Sequence, residues 1–353
     1  MRIEDIAREA GVSSATVSRV LNRPDLVRAE TRERVEAVIR IREYIPDSLA
    51  RSLASKQSRT VGVLIISISN AYYMEITEAI HKRLRDTGYM MLLGATDDSP
   101  HLEKRYAQDF AARRVDGIIV IDVSNENNAS GFFARQAEKR PVVLVHSNAS
   151  LRGSGIREVF LDQALGMRLA MEHLWGLGHH EITLLRGRRG YSYDLKEQAW
   201  EEWLAERGSK IRKELILRVD EPNTEEVVPL AEEVVRKAIR DGTLRSALFC
   251  CNDLQARGAI TAITKAGLRI PRDVSIISHD DTILATSGRV QLTAVDLRMD
   301  KVGRAASDLL LAALAGDDSG ERSVYIAPTL EVRESTAPKT RRANRAIRVP
   351  KRP

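Results

Sequence analysis

Cysteine is scarce in this chain. Its 353 residues hold two, Cys250 and Cys251, side by side in the apolar run Ala247-Leu248-Phe249-Cys250-Cys251. Neighbours on a strand point to opposite faces, so they are poor disulfide partners, and nothing near them has metal-ligand spacing. They read as core fillers. Long hydrophobic runs are also missing: no stretch of about 18 apolar residues occurs, and no membrane span is expected. The opening Met1-Arg2-Ile3-Glu4-Asp5 lacks the apolar h-region of a secretory leader, so a cytoplasmic location is expected. Enzyme fingerprints are absent as well. There is no G-x-x-x-x-G-K-[ST] phosphate loop, no G-x-G-x-x-G after a strand and no Ser/His/Asp or paired-carboxylate arrangement. Arg186-Gly187-Arg188-Arg189-Gly190 is basic and glycine-spaced without being such a fingerprint, and reads as a cleft-edge loop. The reading is a non-enzyme with no cofactor and no metal.

What the chain has is length, apolar content and unevenly placed charge. At 353 residues with 43% hydrophobic side chains it suits two or three globular domains. The net charge of +6 divides into +3 over residues 1–59, +7 over 339–353 and −4 over the centre. Positive ends on a mildly acidic body suit a nucleic-acid-binding head on a body that need not touch nucleic acid.

Residues 3–22 read as two short helices joined by a glycine turn. Ile3, Ile6, Ala7 and Ala10 recur at i, i+3, i+4, i+7 and form one apolar stripe. Gly11 suits a left-handed turn residue, Val12 fills the corner, and Ser13 can cap the next helix. On that helix Val17, Val20 and Leu21 face inward, leaving Ser14, Ala15, Ser18, Arg19 and Asn22 outside. Small side chains let the backbone approach base edges, and the Arg19 fork suits guanine. The bland alternative is a helical hairpin with a solvated polar face.

A third helix is expected from about 29 to 41, with Val35, Val38 and Ile39 inward. The segment from Tyr44 to Lys56, broken by Pro46, is too short to be a stable helix alone and should fold against a partner. From Thr60 apolar strand-like runs alternate with amphipathic helices in two sets, indicating parallel strands buried on both faces. Two sets imply two doubly wound subdomains with a cleft at the carboxyl ends of their strands. The expected division is a head over 1–45, a hinge over 46–59, a two-lobed body over 60–337 and a basic disordered tail over 338–353. Lobe 1 takes about 60–161 and 291–322, and lobe 2 about 162–290 and 323–337.

This combination resembles the LacI/GalR family of bacterial transcription regulators over nearly the whole chain. The head pattern D-x-A-x-x-A-G-V-S-x-x-T-V-S-R-V-L-N runs from Asp5 to Asn22, and A-R-S-L is Ala50 to Leu53. Further matches are Thr60-Val61-Gly62-Val63-Leu64, Ile68-Ser69-Asn70, Arg114-Val115-Asp116-Gly117, Leu177-Gly178-His179, Asn252-Asp253-Leu254, Asp280-Asp281 and Val332-Arg333-Glu334-Ser335-Thr336. The resemblance implies an α/β fold: a small all-α helix-turn-helix head on a body of the periplasmic-binding-protein type I kind. It implies a homodimer, with a tetramer left open, on a pseudo-palindromic double-stranded operator. Ser14, Ala15 and Arg19 correspond to base-reading positions, and Thr16, Ser18 and Asn22 to phosphate contacts. Ala50 and Leu53 correspond to the minor-groove hinge, where a leucine wedge bends the site. Ala54 stands where many relatives are basic.

For the effector, the resemblance points to a sugar-like small molecule and to Tyr72, Tyr73, Asn252 and Asp280. Rings stack on a sugar face, while the amide and carboxylate meet hydroxyls. Three positions depart from the family pattern. Lys196 replaces an arginine and is a point charge without the fork; His146 replaces an aspartate; His279 replaces an aromatic. Lys196 and His146 stay as effector candidates, beside the plainer reading of helix-capping Asn252 and Asp253, packed tyrosines and core histidines. The leading function is a ligand-responsive repressor. The alternatives are a regulator whose pocket works without ligand, and a solute-binding protein, which would need export and no head.

Overall fold

The structure is a computed structural model; it describes residues 2–44, 57–147, 156–187, 190–220, 224 and 226–340. The expected hinge residues Ala50 and Leu53 lie outside that set. The described chain divides into two compact units that meet at Ser58–Arg59.

The amino-terminal unit is a three-helix bundle: α1 (Ile3–Ala10), α2 (Ser14–Asn22) and α3 (Ala29–Ile41). The stripe expected on α1 is the core, with Ile6, Ala7 and Ala10 buried against Val17, Val20 and Val35. Gly11 ends α1 at φ 65°, a conformation that costs a side chain strain and glycine little. Ser13 then opens α2, its Oγ accepting from the Thr16 N–H at 3.2 Å. Arg42, past the end of α3, reaches back to Glu9 on α1 at 2.9 Å. The bundle is therefore closed by packing, two caps and one surface ion pair.

The second unit is built on two six-stranded sheets. One carries β1 (Thr60–Ile65), β2 (Met90–Ala95), β3 (Gly117–Ile121), β4 (Val142–His146), β5 (Arg157–Leu161) and β11 (Ser323–Ile326), in the order β11-β5-β4-β3-β1-β2. The other carries β6 (Ile182–Gly187), β7 (Ile216–Val219), β8 (Ala247–Cys250), β9 (Ser275–Asp280), β10 (Thr293–Asp296) and β12 (Thr329–Glu331), in the order β12-β10-β9-β8-β6-β7. Every pairing is parallel except β10 with β12. The middle strands are buried end to end, as apolar runs covered on both faces require.

Helices cover both faces. Lobe 1 uses α4 (Ala71–Asp86), α5 (Pro100–Ala112), α6 (Asn125–Ala129) and α7 (Phe132–Ala137); lobe 2 uses α8 (Gln163–Gly176), α9 (Tyr191–Glu206), α10 (Val227–Arg240), α11 (Asp253–Lys265) and α12 (Ile283–Thr286). A last long helix, α13 (Met299–Leu314), returns to pack on α4. Two of these contacts need glycine. A Cβ on Gly303 of α13 would stand 2.5 Å from the Ile76 carbonyl, and one on Gly258 of α11 would stand 2.3 Å from the Val228 carbonyl. Cys250 and Cys251 are free and fully buried in different clusters, one on each face of their strand.

Strand pairing corrects the expected lobe boundaries of 291–322 and 323–337. Thr293 of β10 pairs with Ile277 of β9, which puts it in lobe 2, and Ser323 of β11 pairs with Glu158 of β5, which puts it in lobe 1. The chain thus crosses between lobes after β5, after β10 and after β11. β10 is buried but only four residues long, and β11 is four residues long and half exposed, so neither announces itself as an apolar run. The tail boundary at 338 also moves. Lys339 N–H donates to the Leu177 carbonyl at 2.8 Å, and His179 Nε2 lies 3.0 Å from the Ala337 carbonyl, so the chain stays on the body to there.

Candidate DNA-reading head and effector cleft

On the head, α2 buries its apolar side and turns the rest outward. Ala15 and Arg19 are exposed, Ser14, Thr16 and Ser18 are half-buried, and Asn22 ends the helix. Thr16 Oγ1 sits 2.9 Å from Ser13 Oγ, so its hydroxyl already belongs to the cap. The exposed face therefore combines a methyl, small hydroxyls and one guanidinium.

In the body, the carboxyl ends of the strands meet across a cleft that encloses about 270 Å³. Lobe 1 lines it with Tyr73, Asp98, Asp122, His146 and Ser147, and lobe 2 with Tyr193. Each of these follows a strand or opens a helix, which is where a doubly wound sheet presents side chains to a ligand. Asp122 follows β3 in the left-handed region at φ 56°. Burial pushes its carboxyl up to about 6, against the pull of the Lys196 charge and a hydrogen bond from Tyr73. His146 closes β4, and its Nε2 lies 2.8 Å from Glu158, whose other oxygen accepts from Ser323.

Beneath the cleft lies a second layer. Burial pushes the Asp280 carboxyl well up and outweighs the Lys196 charge that favours ionisation. Burial, then Lys196, hold His279 well below its usual range, so its imidazole is neutral. Lys196 donates to the Cys251 carbonyl at 3.2 Å and stands 5.7 Å from the Tyr193 ring. Asn252 caps α11, accepting from the Gln255 N–H at 2.8 Å, and its amide donates to Tyr193 Oη at 3.0 Å. Asp253 accepts from the Thr282 N–H and hydroxyl, and Asp281 pairs with Arg333. The lobes are joined above by Glu75 of α4, which accepts from the Ile283 N–H at 2.9 Å.

Two family models match the chain: "Bacterial regulatory proteins, lacI family" over residues 2–47 and "Periplasmic binding protein-like domain" over 171–336. Catabolite control protein A of Priestia megaterium is 31% identical over 336 residues, covering 95% of this chain and 98% of that protein. The HTH-type transcriptional repressor PurR of Erwinia tasmaniensis is 30% identical over 338 residues, covering 95% and 96%. Among solved structures, the lac repressor dimer bound to operator and the anti-inducer ONPF superposes with a TM-score of 0.84 at 27% identity, over 96% of this chain and 99% of that one. The chain belongs to the lacI family. It is a DNA-binding regulator of transcription with a ligand-binding body, and its family is one of regulators, not of enzymes.

For this lacI-family chain the expected effector residues separate into two groups. Tyr73 and His146 line the cavity. Tyr72, Lys196, Asn252 and Asp280 form the layer beneath, fully or nearly fully buried. Asn252 and Lys196 act there by holding Tyr193 and the β8 terminus. Sequence reasoning missed Asp98, Asp122, Ser147 and Tyr193. The signal was available for Asp122, an acidic residue directly after the apolar run Gly117 to Ile121. Among the described residues no helix is long and apolar enough to cross a membrane, and no group of His, Cys, Asp or Glu is placed to hold a metal ion.

Proposed function

We propose that this protein acts in the cytoplasm, on the nucleoid, as a homodimeric repressor of a pseudo-palindromic operator, with a sugar-like molecule in the cleft setting operator affinity. Ser14, Ala15 and Arg19 read bases, Thr16, Ser18 and Asn22 hold phosphates, and the hinge residues Ala50 and Leu53 enter the minor groove. The single observation that carries the effector half is the cleft: tyrosine rings beside carboxylates and a hydroxyl, at the crossing between two hinged lobes. The lac repressor structure, a dimer bound to operator, supports the DNA half. A ligand changes operator affinity only by binding open and closed lobes unequally. The Glu75–Ile283 contact links the two lobes directly and helps set the balance that such a ligand would shift.

One observation favours a ligand-independent pocket instead. Lys196 and His146, both departures from the family pattern, already have partners in Cys251 and Glu158.

The test is a selection from randomised duplexes at low ionic strength, followed by melting of the full chain with a panel of sugars. A palindrome is expected, and Arg19→Ala is expected to lose about 1–3 kcal/mol on that palindrome and little on scrambled duplex. Equal loss on both removes base reading from Arg19, and recovery of half-sites alone sinks the dimer. Melting unmoved by every sugar leaves the ligand-independent regulator standing.

A further inference from the structure

We infer that the effector carries a positive charge: the cleft is built for an aminated sugar, its ammonium held between Asp98 and Asp122. The inference rests on the sugar-like reading of the cleft and sharpens it.

The first support is the balance of charge around the cavity. Its described lining holds three carboxylates, Asp98, Asp122 and Glu126, and no lysine or arginine. Glu126 is answered by Lys104 at 3.2 Å, which leaves Asp98 and Asp122 facing the space. Lys196 keeps its charge while donating to the neutral Cys251 carbonyl, and acts on Asp122 through space. A carboxylate withdrawn from water needs a partner, and the half-buried Asp122 has the Tyr73 hydroxyl and the through-space charge of Lys196. A neutral sugar offers it further hydroxyls. An ammonium offers it charge.

The second support is independent of charge. Ser147 lines the same cavity, is 5% exposed, and its Oγ has no hydrogen-bond partner among the described residues. A hydroxyl buried this far without a partner costs about 1–3 kcal/mol, which a ligand hydroxyl or ammonium recovers. The faces of Tyr73 and Tyr193 complete a surface that attracts cations as well as sugar rings. At about 270 Å³ the space lies just below the roughly 300–1,000 Å³ usual for drug-sized ligands, and so fits one sugar ring.

Arg188 and Arg189, next in sequence to the lining residue Gly190, make an anionic sugar the competing occupant. Calorimetric titration of the full chain decides between them. The probes are D-glucosamine, D-galactosamine and D-mannosamine, each beside its parent sugar, its N-acetyl derivative and its 6-phosphate. One amino sugar is expected to bind about tenfold or more tighter than its parent and its N-acetyl form. Its affinity should rise from pH 5 to 6.5, as Asp122 ionises in the field of Lys196 and Asp98. Asp122→Asn should weaken the amine far more than the parent sugar and so remove the preference between them, and Ser147→Ala should weaken both alike. A parent sugar or N-acetyl form that binds as tightly as the amine overturns the inference and leaves the sugar-responsive regulator intact. A preference for the 6-phosphate, lost in an Arg188→Ala, Arg189→Ala double variant, also overturns it. Heat from none of the probes removes both readings.

Discussion

Head and body recognise their targets with opposite uses of burial. The head's reading face is exposed, and its one cation, Arg19, stands in water on a helix of small side chains. Its core is six buried residues, and Ser13, a cap, is what aligns the reading helix. The body hides its recognising groups. Asp280, Lys196, Asn252 and His279 are all buried, and burial is the largest cause of the shifted proton equilibria of Asp280 and His279. A surface that must slide over and sample many duplexes gains from solvated charge, whose reach salt can tune. A cleft that must distinguish small molecules gains from desolvated groups, which are costly to leave unmatched. Each unit is therefore vulnerable at a different point: the head through a cap, the body through close packing and protonation.

The largest break in that comparison is Gly258→Val. The new side chain would drive into the Val228 carbonyl and the Ala231 methyl, prying α11 from α10. Overpacking against backbone costs about 3 kcal/mol or more. Calorimetry of the full chain is expected to show the body transition falling while the helical signal of residues 3–41 holds its midpoint. A shift of both together would mean that the two units unfold as one.

Acidification gives the next effect, with opposite sign for the buried aspartates of the body and for Asp5 of the head. In the body, burial raises Asp122 and Asp253 to about 6. A carboxyl whose folded pKa exceeds its unfolded value makes the native state bind more protons. Stability from it is therefore present at low pH and lost as pH rises through about 6. Going from pH 7 to 5 should stabilise the body by roughly 1 kcal/mol for each of these two groups. In the head, Asp5 is held low by the Arg2 N–H, so its contribution is present above its ordinary value and lost only on stronger acidification. His173, His179 and His279, held low by burial, lose stability over the same interval, so the check is a difference. The midpoint change from pH 7 to 5 should be less favourable in Asp122→Asn than in the unaltered chain, and an equal change contradicts the assignment.

The head was legible almost residue by residue. Its helices are local, its stripe repeats at helical spacing, and its turn and cap use residue types that few other structures need. The sheets were legible as runs such as Val142 to Val145, but not their edges. β10 and β11 are recruited by pairing rather than by apolar content, so the lobe boundaries came out displaced. In the cleft, Tyr73 and His146 were found where motifs end. Lys196 and Asn252 were found too, yet their side chains turn to Cys251, Gln255 and Tyr193, a choice made by tertiary neighbours. Asp98 and Asp122 went unnoticed because an aspartate after a strand is common in turns. Only the sheet order shows that these two strand ends share one cavity.

The smallest effect sharpens the comparison most. Ser13→Ala removes the oxygen that receives the Thr16 N–H at 3.2 Å and releases the Thr16 hydroxyl from its 2.9 Å contact. Losing an N-cap costs about 1 kcal/mol, while Ser13→Gly costs a few tenths because a bare N-cap backbone is readily solvated. Amide exchange in the first turn of α2 should therefore quicken about fivefold in the alanine variant and barely in the glycine one. The body amides should stay unchanged in both. If alanine and glycine behave alike, Ser13 is a surface residue rather than a cap. The alignment of Ser14, Ala15 and Arg19 would then rest on the packing of Val17 and Val20 alone.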